Sequence, residues 1–126
     1  MQKKASLNDI VAIIHNFNEK RGWESNDPNQ LISSILIELA ELAEHFQWKD
    51  HYPELSKEER VSLGYEFVDV IFYLFRLADK AGVDIEASFF SKLPLLEKKF
   101  PIGQTDDEHF KIKKDYRQTG KNRLYR

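Results

Sequence analysis

Glu66-Phe67-Val68-Asp69-Val70-Ile71-Phe72-Tyr73-Leu74-Phe75-Arg76-Leu77-Ala78 is the stretch on which the fold turns. From Phe67 to Ala78 every residue is apolar or aromatic except Asp69 and Arg76. Upstream, Ser56-Lys57-Glu58-Glu59 has the capping-box pattern, in which serine and glutamate satisfy each other's backbone donors. Gly82 stands where a helix end favours a left-handed residue. A helix from the Ser56 cap to about Lys80 follows. Inside it Asp69 is hard to keep in water, and an isolated buried carboxylate is costly unless a shifted pKa or a partner neutralises it. Glu66 stands three residues earlier on the same face.

Working outward, the preceding helix is expected from about Gln30 to Gln47, with an inward stripe of Leu31, Ile35, Leu39, Leu42 and Phe46. Glu38 falls on that side, partly buried, and Glu41 is one turn on at i+3. A first helix runs from about Leu7 to Arg21, capped by Ser6, with Ile10, Ile13, Ile14 and Phe17 as its stripe and Gly22 as its stop. Glu24 to Asn29 reads as a turn feeding the second helix. A fourth helix, capped by Asp84, carries Ile85, Phe89, Phe90, Leu93 and Leu96, with a kink or break near Lys92 caused by Pro94 and an end at Pro101. No segment alternates like a strand, so the expectation is an all-α four-helix bundle. Its domain covers residues 1–101, and residues 102–126 form a charged, flexible, solvated C-terminal tail with basic Lys111, Lys113, Lys114, Arg117, Lys121, Arg123 and Arg126.

Composition narrows the function classes. A chain of 126 residues with 41% hydrophobic and 13% aromatic content suits one folded domain rather than a disordered segment. No run approaches the roughly 18 apolar residues of a membrane span, and Met1-Gln2-Lys3-Lys4-Ala5 lacks a signal peptide's apolar run. A cytoplasmic protein without a membrane partner is expected. The absence of cysteine removes disulfides, thiolate zinc sites and a cysteine nucleophile. A net charge of −2 argues against nucleic acid as a partner, so any anionic ligand needs a local site or a metal.

Two neighbouring helices thus each offer a pair of acids at i, i+3: Glu38 with Glu41, and Glu66 with Asp69. Four anions facing one another would raise each other's pKa values, whereas one or two divalent cations would hold all four ionised. Hard oxygen donors without histidine or cysteine favour magnesium or manganese over zinc or copper. A di-iron bundle would want Glu-x-x-His, which is absent. The competing reading makes Glu41, Glu44 and Glu66 ordinary solvated charges. It fits Asp69 poorly, since its neighbours at three and four residues supply no cation. His15, His45, His51 and His109 have no ligand spacing among themselves and are assigned no chemistry.

Glu38-Leu39-Ala40-Glu41 followed about two dozen residues later by Glu66-Phe67-Val68-Asp69 resembles the ExxE…ExxD signature of the MazG-like all-α nucleoside triphosphate pyrophosphohydrolases. Arg21-Gly22-Trp23, the run from Glu41 to Trp48, Tyr73-Leu74, Val83-Asp84, Ser91-Lys92 and Phe100-Pro101 fall in family order, so the likeness spans about residues 7 to 101. The stretch Glu41-Leu42-Ala43-Glu44-His45-Phe46-Gln47-Trp48-Lys49 is similar to the dCTP pyrophosphatase branch. The resemblance implies magnesium-dependent hydrolysis of a nucleoside triphosphate to the monophosphate and pyrophosphate, as nucleotide-pool cleaning, by a homo-oligomer, a dimer or tetramer.

Each matched residue then has a role. Glu38, Glu41, Glu66 and Asp69 hold the metal and serve catalysis, and one of them, Glu41 for instance, takes the proton of the attacking water. Trp23 and Trp48 sandwich the base, a contact worth roughly 1 to 3 kcal/mol per base. Tyr73 and Lys92 complete the substrate contacts, Lys92 at a phosphate. Taken singly, the tryptophans read as core-edge anchors, Tyr73 as packing and Lys92 as a surface lysine. Relatives often carry asparagine four residues after Lys92, where this chain has Leu96 behind Pro94. That departure leaves room for a nucleotide- and metal-binding regulatory bundle with little turnover. Finally, a helix as apolar all round as the third must bury part of itself against a second subunit.

Overall fold

The structure, a computed structural model, describes residues 4–23 and 27–120. Glu24, Ser25 and Asn26 of the expected turn, the chain start, and Lys121, Arg123 and Arg126 of the expected tail lie outside the described residues. Five helices and no strand occur among them: α1 (Leu7–Lys20), α2 (Pro28–Glu44), α3 (Lys57–Lys80), α4 (Ile85–Lys99) and α5 (Asp106–Thr119). None is long and apolar enough to cross a membrane. The chain divides into two compact units, residues 1–86 and 87–126.

In the first unit α3 packs against both α2 and α1. Its start is the expected capping box: Ser56 Oγ accepts from Glu59 N at 3.1 Å and Glu59 Oε2 accepts from Ser56 N at 2.8 Å. Helix α2 begins two residues earlier than expected, because Asp27 caps Gln30 N at 2.9 Å and Pro28, with its φ preset, occupies the first turn. Helices α1 and α3 end alike. Gly22 at φ 69° and Gly82 at φ 73° let Trp23 N reach Asn18 O and Val83 N reach Ala78 O, both at 2.9 Å. This closure needs a left-handed residue, which glycine adopts without a Cβ clash.

The buried line of α1 differs from the one expected. It runs through Leu7, Val11, Ile14 and Asn18, while Ile13 is 61% exposed. Counting only the large aliphatics shifts the stripe by one position, because the helix repeat places a polar residue, Asn18, on the inner face. On α2, Leu31 is buried and Ile35, Leu42 and Phe46 half-buried, but Leu39 is exposed.

Asp69 is exposed rather than buried. Two helices cannot cover α3 all round, so Phe67, Val68, Ile71 and Leu74 also meet solvent on its uncovered sides. The charged residue that α3 does bury is Arg76, 6% exposed.

In the second unit α4 is continuous through Pro94, without the expected break. Proline there removes one donor, the N–H that would reach the Phe90 carbonyl, and the α-conformation persists on both sides. The segment expected to be a solvated tail contains α5. Thr105 and Glu108 form a reciprocal capping box with both bonds at 3.2 Å, and Gly120 at φ 74° closes the helix. Half-buried His109, Ile112 and Tyr116 recur at three and four residues. Lys99 Nζ sits 4.4 Å from the Tyr116 ring centroid. Burial, then Lys92, Lys113 and Arg117, lower the pKa of this lysine.

Candidate metal and nucleotide site

Glu38 on α2 and Glu66 and Asp69 on α3 each offer a carboxylate oxygen, and these atoms lie within 4.8 Å of one another. The i, i+3 spacing of Glu66 and Asp69 sets both on one face of α3, and the α2–α3 packing brings Glu38 to them. Glu41 is not part of this convergence but hydrogen-bonds to Glu38. The electrostatics are those of crowded anions. Burial first, then the charges of Glu41, Asp69 and Glu66 together with the Glu41 hydrogen bond, raise the Glu38 carboxyl above its usual pKa. Glu38 Oε2 is buried with no hydrogen-bond partner among the described residues. An orphaned acceptor amid hard oxygen donors fits a divalent cation such as magnesium or manganese, which would reverse the sign of the local field.

His45, given no role from spacing alone, approaches this cluster: its Nε2 lies 3.6 Å from Glu66 Oε1. Sequence distance hid the contact, because it joins the end of α2 to the middle of α3.

Beside the acids, α1 and α3 enclose a cleft of about 490 Å³. Phe17, Trp23, Phe72 and Tyr73 supply its aromatic surface, Asp69 joins its lining beside the acids, and buried Asn18 and Arg76 add polar groups. The Gly22 turn delivers Trp23 there, with its ring 6.1 Å from Phe17, whose ring meets Phe72 edge-on at 5.2 Å. Arg76 donates to Asn18 Oδ1 at 2.6 Å, and Asn18 Nδ2 donates to Ile14 O at 2.8 Å. Spacing arguments missed this pair. Its signal was an asparagine one turn after Ile14 on the inner face of α1, opposite the only cation in the apolar run of α3.

The remaining substrate candidates are placed differently. Trp48 does not line this cleft; it follows α2, is 94% exposed and has φ 65°. That left-handed backbone costs a non-glycine residue roughly 1 to 2 kcal/mol. Lys92 lies half-buried on α4 in the second unit.

No protein-family model matches the chain. Among curated proteins it is similar to dCTP pyrophosphatase 1 of Homo sapiens, 36% identical over 101 residues that make up 76% of this chain and 59% of that protein. It is also similar to dCTP pyrophosphatase 1 of Bos taurus, 33% identical over 102 residues, 77% of this chain and 60% of that protein. The chain therefore spans about three-fifths of the length of these relatives. Among solved structures it resembles a pyrophosphatase from Archaeoglobus fulgidus, with TM-score 0.58 and 29% identity over 80% of this chain and 97% of that one. With Glu38 of the ExxE pair meeting both acids of the ExxD pair as described, the chain belongs over its matched length to the MazG-like all-α nucleoside triphosphate pyrophosphohydrolase family, on the dCTP pyrophosphatase branch.

Proposed function

We propose that this protein hydrolyses a deoxynucleoside triphosphate, dCTP or a modified dNTP, to the monophosphate and pyrophosphate, as nucleotide-pool cleaning. The observation that carries the reading is the convergence of Glu38, Glu66 and Asp69 within 4.8 Å beside an aromatic cleft. These three acids, with Glu41 at the edge, are the proposed magnesium ligands. A divalent cation bound there supplies charge neutralisation for the phosphates and acidifies water.

The chain's own groups do the rest. Trp23 and Tyr73 hold the base and orient the nucleotide. Glu41, outside the convergence but hydrogen-bonded to Glu38, takes the proton as water attacks the α-phosphorus. The bond to the β-phosphate oxygen breaks and pyrophosphate leaves, with no protein nucleophile. Trp48 and Lys92 are assigned to the base and a phosphate by resemblance to the family pattern.

Assembly as a homo-oligomer belongs to the same reading. Ile32, Leu36 and Leu39 form an exposed stripe at helical spacing on α2, and Phe67, Ile71 and Leu74 form another on α3. Only Ile14 and Leu31 are fully buried apolar side chains among the described residues, a small core for a stable monomer. Contiguous exposed apolar surface of this kind marks an interface.

The test is to incubate the protein and magnesium with each common NTP and dNTP and measure pyrophosphate. Release that Glu38→Ala abolishes is expected. Nucleotide binding without release would contradict hydrolysis and favour a regulatory binder, the reading that Leu96 in α4 keeps open.

A further inference from the structure

The acids stand between two clefts. Asp69 lines the aromatic one, and toward the start of α3 a second cleft of about 200 Å³ opens against the segment that follows α2. His45, Lys49, Glu59 and Ser62 supply its polar lining. His45 joins it to the acids, with Nε2 3.6 Å from Glu66 Oε1. Ser62, Glu66, Asp69 and Tyr73 follow one another at four, three and four residues, so they share one side of α3 over about 16 Å of helix axis.

The second cleft favours a negatively charged occupant. Trp48 takes the left-handed conformation, φ 65°, that turns the chain back after α2, and Lys49 N then reaches Phe46 O at 3.1 Å. Strain of this kind in a non-glycine residue collects at ligand sites. Lys49 Nζ donates to the His45 carbonyl at 3.1 Å, which holds its ammonium beside His45. The acid in the lining, Glu59, accepts from Ser56 N at 2.8 Å and sits in the first turn of α3, where the helix dipole offsets its charge. An ammonium, an imidazole N–H and a hydroxyl can each donate to a phosphate oxygen.

Release of pyrophosphate requires water to attack the α-phosphorus, so a cation at the acids meets the middle of the substrate. The base and sugar then lie to one side of it and two phosphates to the other. We propose that the second cleft is the subsite for the diphosphate end of the substrate, where Lys49, His45 and Ser62 hold the β- and γ-phosphates while the base occupies the aromatic cleft. The inference rests on the hydrolytic reading of the acid cluster. It goes beyond that reading by fixing the direction in which the substrate lies along α3 and naming the side chains that hold the leaving pyrophosphate.

Calorimetric titration of inorganic pyrophosphate and of dCMP, each with magnesium, separates the two clefts, because dCMP carries no β- or γ-phosphate. Wild-type protein is expected to bind both. Lys49→Met keeps most of the side-chain stem and removes the charge, so pyrophosphate should bind at least about tenfold more weakly, the scale of one charge-assisted hydrogen bond, while dCMP changes by less than about twofold. Lys49→Arg should restore most of the loss, and Ser62→Ala should weaken pyrophosphate by about threefold. No pyrophosphate binding to wild type, unchanged affinity in Lys49→Met, or equal losses for both ligands would overturn the proposal. Should Lys49→Met fail to fold, Ser62→Ala decides the matter by the same comparison. Pyrophosphate held through Lys49 by a protein that releases none from any dNTP would remove the reaction and keep this subsite; release from dCTP with pyrophosphate affinity indifferent to Lys49→Met would do the reverse.

Discussion

Along α3, Glu66 and Asp69 stand against Glu38 with like charges inside 4.8 Å, whereas further along the helix Arg76 donates to Asn18 at 2.6 Å and Asp79 meets His15 at 2.8 Å. The turn from Glu66 to Asp69 crowds carboxylates against Glu38, with His45 3.6 Å from Glu66, and the turn from Arg76 to Asp79 sets each charged group against a complementary partner. The second pattern stabilises the contact of α1 with α3. The first destabilises the protein alone and is relieved by a cation, which is the physical signature of a ligand site.

The largest effect should come from the acid cluster. Asp69→Ala or Glu66→Ala is expected to lower the rate of pyrophosphate release by at least about a hundredfold, the consequence of losing several kcal/mol of charge stabilisation. Wild-type rates in either variant would erase the distinction between the two turns. Next comes the contact of α1 with α3, where Asn18→Ala removes the 2.6 Å hydrogen bond that buried Arg76 donates to Asn18. A loss of about 1 to 3 kcal/mol in urea unfolding is expected.

Glu38→Gln should act in the opposite direction to Asn18→Ala on metal-free protein, raising Tm by about 1 to 4 °C at pH 7. The pH dependence has a definite sign. The folded-state pKa of Glu38 is raised above 4.5, so the folded protein binds more protons between 4.5 and that raised value. Its contribution to stability therefore improves as pH falls through this window, and the penalty is complete above it. Melting curves of wild type and Glu38→Gln should converge as pH drops. The smallest effect belongs to the exposed pair: His15→Ala should cost about 1 kcal/mol or less by thermal melting, since half the histidine side chain meets water.

Much of this contrast was legible in the sequence. The capping box at Ser56 and Glu59 and the glycines after α1 and α3 act locally, so the spacing alone placed those helices. The acid pairs were legible for the same reason, since helical geometry sets Glu66 and Asp69 on one face whatever surrounds them. What failed depended on cover from other elements. Asp69 looked buried because its neighbours are apolar, but composition does not say which sides of a helix others cover. Arg76 looked like an interruption, and only the packing of α1 on α3 turns it into half of a pair with Asn18. The α5 helix was hidden by its charge, although Thr105 and Glu108 repeat the signature that opened α3.

The central claim, that acids from α2 and α3 converge to hold a divalent ion, is tested most directly by titrating Mn²⁺ into the protein and following its electron paramagnetic resonance signal. Binding to wild type that Asp69→Asn weakens by at least about tenfold is the expected result. Equal Mn²⁺ affinity in the two proteins, or none in either with nucleotide present, would contradict it.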